Sequence, residues 1–138
     1  MIEIKVKKIY ENAILPKYSK EGDAAMDVFA QNMTRTDKYI EYGTGLSFEL
    51  PKGYVMLIFP RSSVSNKDLM LKNSVGVLDS GYRGELKLRF QMNGDDVYNL
   101  GDKIGQIMVI ERPEMMLKLV EKLDDSARGN GGFGSTGM

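Results

Sequence analysis

The sequence predicts an all-β domain: a sandwich, jelly roll or barrel. Three observations carry that expectation. Apolar residues recur mostly at a period of two, clusters of turn-forming residues separate the apolar runs, and only one short stretch suits a helix. Ile2, Ile4 and Val6 alternate with Glu3, Lys5 and Lys7, which predicts a half-buried strand. Leu46, Phe48 and Leu50 alternate with Ser47 and Glu49 and stop at Pro51. Tyr54 to Phe59 is apolar throughout and predicts a strand buried on both faces. Ser63 to Asp68 is the one helix candidate. Leu86, Leu88 and Phe90 alternate with Lys87 and Arg89, and Ile104 to Ile110 is a further apolar stretch interrupted by Gln106. Pro51-Lys-Gly53, Asp79-Ser-Gly81, Asn93-Gly-Asp-Asp96 and Gly101-Asp102 supply the turns.

Composition narrows the chemistry. The 138 residues suffice for one domain with a tail, and nineteen basic residues balance nineteen acidic ones. A body-wide polyanion binder is therefore disfavoured, while a local phosphate site is not. The chain has no Cys and no His. Disulfides, thiolate or imidazole zinc sites, Cys or His nucleophiles and Ser-His-Asp triads are excluded. What is left is Asp, Glu, Lys, Arg, Tyr and hydroxyl chemistry, with a hard oxygen-bound cation as the suitable metal. No apolar run reaches the roughly twenty residues of a membrane helix, and the N-terminus has no apolar signal core. A cytoplasmic location is the expectation.

Ser126 to Met138 breaks the strand pattern. It holds five Gly with one cation, Arg128, and one aromatic, Phe133. Such a composition reads as a disordered end or as a lid that orders on a ligand. Gly129-Asn-Gly131-Gly-Phe-Gly134 satisfies the spacing of a dinucleotide fingerprint, but four residues remain after it, too few for the helix that motif requires. It is nearly a P-loop as well, with Ser135 where the lysine belongs. Successive glycine N–H groups can still approach a phosphate.

Three polar features sit oddly. Gln106 interrupts an apolar strand, which suits either an edge position or a ligand. Pro60-Arg-Ser-Ser63 follows the most apolar strand, where N–H groups, hydroxyls and Arg61 could bind an anion or simply cap a helix. Gly76-Val-Leu-Asp79 and Tyr82-Arg-Gly-Glu85 flank a turn and predict a hairpin whose tip carries a carboxylate and a phenol.

Taken in order, these segments resemble the homotrimeric dUTP diphosphatases (dUTPases). That family has five motifs, and all five find counterparts here. A-G-Y-D-L is met by Ala24 to Val28, and P-R-S-G by Pro60 to Ser63, with Lys67 downstream. N-x-x-G-x-I-D-x-x-Y-R-G is met by Asn73 to Gly84, and G-D-R-I-A-Q by Gly101 to Gln106. R-G-x-G-G-F-G-S-T-G is met by Arg128 to Gly137 at every specified position. The resemblance implies a distorted jelly roll of the dUTPase β-clip type over residues 1–125, with residues 126–138 as an arm that closes over the active site. It also implies a homotrimer whose sites are shared between chains. The implied reaction is hydrolysis of dUTP to dUMP and pyrophosphate with Mg2+, which keeps uracil out of DNA and supplies dUMP for thymidylate synthesis. Neither a membrane nor direct nucleic-acid binding is expected.

The resemblance also assigns roles. Asp79 is expected to orient and deprotonate the water that attacks the α-phosphorus. Asp27 is expected to hold Mg2+ through water, the ion being carried mainly by the triphosphate. Arg61, Ser62, Ser63 and Gln106 would cradle the phosphates. Main-chain groups at Gly76, Val77, Leu78 and Lys87, with the Asn73 amide, would read uracil. Tyr82 would pack under the deoxyribose and exclude a 2′-hydroxyl. Arg128 would reach the γ-phosphate, Phe133 would stack on the base, and Gly134, Ser135 and Thr136 would add contacts. Ala25-Met26, Ser63 and Gly105 depart from the family pattern without removing a catalytic group. The nearest alternative is a dCTP deaminase-like enzyme on the same fold, but the position of its catalytic Glu is occupied by Arg89. The other is a non-catalytic nucleotide-binding module, which would not need Asp79.

Overall fold

The computed structural model describes residues 1–137. Their regular structure is nine strands and one 3-10 turn: β1 (Lys5–Lys8), β2 (Met26–Phe29), β3 (Asn32–Arg35), β4 (Ile40–Glu49), β5 (Tyr54–Phe59), the turn at Ser62–Asn66, β6 (Leu69–Leu71), β7 (Gly76–Leu78), β8 (Glu85–Met92) and β9 (Lys103–Glu111). They form two antiparallel sheets. One runs β1-β4-β8-β6 with β3 also on β4, and the other runs β2-β9-β5-β7. Ten residues make β4 long enough for two neighbours on one edge. β3 takes Ile40–Gly43 and β1 takes Leu46–Glu49.

The core lies between the sheets. Ile40, Tyr42, Leu46 and Phe48 of β4 and Leu86, Leu88 and Phe90 of β8 meet Val28, Met56, Ile58, Leu78, Ile104 and Ile107 of the second sheet. The alternation of Leu86, Leu88 and Phe90 is thus the inner face of β8, with Lys87 and Arg89 outward. Tyr42 and Phe90 are fully buried and meet edge to face, centroids 5.9 Å apart. The Tyr42 hydroxyl accepts the Tyr98 N–H at 2.7 Å, so its burial leaves no orphaned group. This is the all-β class that the alternation predicted and the distorted jelly roll that the resemblance implied.

Four local expectations need correction. Only Lys5–Lys8 of the N-terminal alternation is a strand, and Ile2 and Val6 stay about 40% exposed. Among the described residues β1 is an edge strand with β4 as its one neighbour, and Val6, with Ile2 and Ile4 before it, borders an open groove with Phe48 and Met108. β5 has its predicted bounds, but Tyr54, Leu57 and Phe59 are only half-buried, and Phe59 lines a cleft. The helix candidate is a five-residue 3-10 turn whose first cap, Arg61, is extended and makes no side-chain capping bond. The hairpin is no ladder. β7 pairs with β5 and β8 pairs with β4 and β6, so the chain crosses from one sheet to the other between Asp79 and Gly84. No helix among the described residues is long and apolar enough to cross a membrane.

Candidate active site

The strand register gathers one set of polar residues. In the second sheet Gln106 of β9 lies opposite Asp27 of β2 on one side and Phe59 of β5 on the other. Pro60-Arg61-Ser62 leaves β5 directly after Phe59. Three segments distant in sequence thus converge at one sheet end. They line a cleft of about 700 Å3 that holds Asp27, Arg61, Ser62 and Gln106, with Ser19, Asp23 and Ser74. The Gln106 amide donates to the Pro60 carbonyl at 3.0 Å, which fixes the side chain where the apolar strand is interrupted.

Asp27 is the electrostatic centre of this cleft. It is 7% exposed. Its Oδ1 accepts Arg61 Nε at 3.0 Å, and its Oδ2 accepts Ser19 Oγ at 2.5 Å and Lys103 Nζ at 2.9 Å. Lys103 Nζ also donates to Ser19 Oγ at 2.7 Å. Burial pushes the Asp27 carboxyl up, but the bonds from Ser19 and Lys103 and the charges of Arg61 and Lys103 outweigh it. The group is held below the ordinary carboxylate range. Arg61 Nη1 donates to Ser63 Oγ at 3.3 Å, so Ser63 positions the guanidinium. Lys103 and Ser19 were not singled out from the sequence. Lys103 lies inside the fourth motif and could have been; Ser19 has no local signal.

A second cleft of about 440 Å3 opens on the other side of β5 and contains Asn73, Val77, Leu78, Asp79, Tyr82 and Lys87. Ile58 lines this one and Phe59 the first, and consecutive strand residues point to opposite faces. The slot exists because β7 and β8 part into different sheets. Among the described residues, β7 is an edge strand bonded only to β5. On the side of β8 away from β4, β6 pairs with Phe90–Met92 and the Lys72 N–H takes the Arg89 carbonyl at 2.9 Å. Residues 85–88 have no ladder partner there among the described residues. Two main-chain edges therefore face a slot sized for a small ligand, each with donors and acceptors of fixed polarity.

Asp79 stands exposed at the mouth of this slot, and its carboxylate takes no hydrogen bond from the described residues. Its main-chain carbonyl accepts the Tyr82 N–H at 3.1 Å in the turn. The Tyr82 hydroxyl donates to the Glu85 carbonyl at 3.0 Å, laying the phenol along the crossing. Glu41 of β4 meets Lys87 Nζ at 3.3 Å and Arg89 Nε at 2.7 Å. Burial raises the Glu41 carboxyl, but the bonds and charges of those two cations bring it below its ordinary value.

The remaining site candidates belong to neither cleft. Residues 112–137 contain no strand and are exposed almost throughout. Arg128 Nε donates to the Gly131 carbonyl at 2.9 Å, and the Ser135 N–H bonds the Gly132 carbonyl at 3.1 Å, so the glycine-rich segment folds only on itself. Phe133 is fully exposed, and its φ of 51° is left-handed. The last residue of the expected arm, Met138, lies outside the described residues. Gly105 has a packing reason: a Cβ there would stand 2.5 Å from Leu88 Cδ2 and 3.0 Å from the Phe59 carbonyl.

For a metal, the described residues contain no cluster of three or more acidic or imidazole ligands. Asp27 already meets two cations. This donor set does not fit an ion held by the described residues alone.

The dUTPase family matches residues 11–137. The deoxyuridine 5′-triphosphate nucleotidohydrolase of Clostridium acetobutylicum is 35% identical over 143 residues, covering 100% of this chain and 99% of that protein. The enzyme of that name from Picosynechococcus is 35% identical over 141 residues, covering 99% of each. Among solved structures, the dUTPase of Staphylococcus bacteriophage 80alpha with dUpNHpp is 25% identical, with a TM-score of 0.85 over 100% of both chains. A mutant dUTPase from phage phi11 of S. aureus, described as showing the coordination of a structural Mg(II) ion, is 25% identical. Its TM-score is 0.73 over 88% of this chain and 98% of that one. A match that takes in both clefts and the glycine-rich tail makes this chain a member of the dUTPase family.

Proposed function

We propose that the protein hydrolyses dUTP to dUMP and pyrophosphate, with Asp79 activating the water that attacks the α-phosphorus in line. The carrying observation is the contrast between a partnered, cation-rich cleft and a carboxylate left free beside a nucleoside-sized slot. In the first, Arg61, Ser62 and Gln106 would receive the phosphates, with Ser63 steadying Arg61. In the second, the edges at Gly76, Val77, Leu78 and Lys87, with the Asn73 amide, would pair with uracil. Cytosine presents the reversed pattern and would leave those groups unpaired, a mismatch that can cost about 10⁴-fold. Tyr82 would lie under the sugar. A positioned general base is worth roughly 10²–10⁴-fold.

Mg2+ bound to the triphosphate would neutralise phosphate charge, and Asp27 would face it through water. For that, the phosphates must draw Arg61 and Lys103 off the Asp27 carboxylate. The chain would act as a homotrimer with shared sites. Two observations support this: the two clefts lie on opposite faces of β5, and the tail reaches neither of them. Met115, Met116, Leu117, Leu119 and Leu123 are each at least 79% exposed, a run of apolar surface that a neighbouring chain would cover. Residues 126–138 would then close as an arm over a neighbour's site. Arg128 would meet the γ-phosphate, Phe133 the base, and Gly134 and Ser135 the phosphates, while water is excluded.

The test is a product assay over dUTP, dTTP, dCTP and UTP, with and without Mg2+. Pyrophosphate from dUTP alone is expected. Ammonia from dCTP, or nucleotide binding with no product, would overturn the reading.

A further inference from the structure

We propose that Glu85 is a positioning residue for base selection, holding in place the β8 edge that faces the slot. The inference rests on the uracil reading of that slot. It starts from a fault in the ladder. β4 and β8 pair from Ile40↔Phe90 to Gly43↔Lys87 and resume at Ser47↔Glu85. Thr44, Gly45 and Leu46 thus face Leu86 alone, a bulge that breaks the regular hydrogen bonds just where β8 borders the slot.

Side chains replace the missing ladder. Glu85 Oε1 accepts the Gly45 N–H at 2.8 Å and the Asn32 amide at 3.1 Å. Asn32 Oδ1 in turn accepts the Gly43 N–H at 3.2 Å. Thr44 Oγ1 donates to the Leu86 carbonyl at 2.8 Å. The backbone is shaped to admit this carboxylate. Gly45 has a φ of +70°, and a Cβ on Gly43 would overlap both the Glu85 carboxylate and the Asn32 amide. The Glu85 side chain is 13% exposed and borders the slot, and its carbonyl seats the Tyr82 hydroxyl. One residue therefore fixes the β8 edge and the ring proposed to lie under the sugar.

Base choice by main-chain polarity works only while that edge stays still. Removing the acceptor leaves the Gly45 N–H without its partner and frees residues 85–87 to shift. Glu85→Ala is expected to lower the dUTP-over-dCTP ratio of kcat/KM at least tenfold, mainly through a raised KM for dUTP. Glu85→Gln keeps the accepting oxygen and should hold the ratio within threefold. Exchange of the Gly45 amide, followed by NMR, should accelerate in Glu85→Ala and stay slow in Glu85→Gln.

An unchanged ratio in a folded Glu85→Ala protein would overturn the proposal. So would Glu85→Gln behaving like Glu85→Ala, since the charge facing Lys87 would then be what matters. If Glu85→Ala fails to fold, Asn32→Ala removes a donor to the same carboxylate. A smaller loss in the same direction supports the proposal, and an unchanged ratio overturns it. Wild-type protein without dUTP turnover would defeat the functional reading instead, and the amide exchange would still report on the contact.

Discussion

In the first cleft Asp27 holds both Arg61 and Lys103 at 3.0 Å or less, whereas across β5 the Asp79 carboxylate meets no donor among the described residues. The first arrangement places cations in advance, with a buried carboxylate standing in as their counter-ion. The second leaves a carboxylate accessible to water. On the proposed reading, binding and activation need opposite electrostatic settings, and one β-strand separates them. A ligand that joins the first cleft of one chain to the second cleft of another must bring its charge to the first and its reacting centre to the mouth of the second.

The largest effect should come from removing what completes the second setting. Asp79→Asn keeps the size of the side chain and should leave affinity for a non-hydrolysable analogue within a few-fold while lowering kcat by ~10²–10⁴; single-turnover kinetics beside calorimetry checks both. Deleting Ser126 to Met138 should leave the melting temperature of the body little changed and remove nearly all turnover. Retained turnover would end the lid reading.

On the other side of β5, Arg61→Ala should weaken polyphosphate binding by roughly 10–100-fold, the scale of a hydrogen bond to a charged group. It should also destabilise the protein by ~1–3 kcal/mol, because Asp27 loses a partner. Denaturant unfolding measures the second effect. Tyr82→Ala should reduce the preference for dUTP over UTP by about tenfold, on the scale of 1–3 kcal/mol for a steric sugar contact.

The smallest effect is in acid. The Asp27 carboxyl is depressed in the folded protein, so its contribution is fully present above the ordinary value of 3.8 and fades as pH falls through the folded value. The stability gap between wild type and Asp27→Asn should be constant from neutral pH to about pH 4 and narrow below it. A gap that narrowed near pH 6 would point to a different group.

Local pattern made much of this legible. The inner face of β8 and that of the C-terminal half of β4 followed from alternation, because one buried face imposes it, and continuous apolar runs marked β5 and, to within a residue at each end, β9. The five motifs named every assigned group in both clefts and the tail except Lys87, which lies just beyond the third. What stayed hidden was pairing. Gly76–Leu78 and Glu85–Met92 read as one hairpin because a turn lies between them, yet β7 is claimed by β5 and β8 by β4. The slot arises from that separation. Non-local contact likewise hid the bulge at Thr44–Leu46, the Glu85 bonds into it, and the meeting of Ser19 and Lys103 at Asp27. The exposure of Ile2 and Val6 depends on which strands find only one neighbour, and alternation does not report that.

The claim that the two clefts serve one site from different chains has a direct test. Asp79→Asn and Arg61→Ala proteins, each nearly inactive at low dUTP, are unfolded together, refolded as a mixture and assayed. Shared sites predict that mixed assemblies contain some sites with an intact Asp79 and an intact Arg61, so activity should rise well above either parent. If each chain built its own site, every site would carry one defect. Activity no greater than the average of the parents, with mixed assemblies shown to be present by mass, would contradict the account.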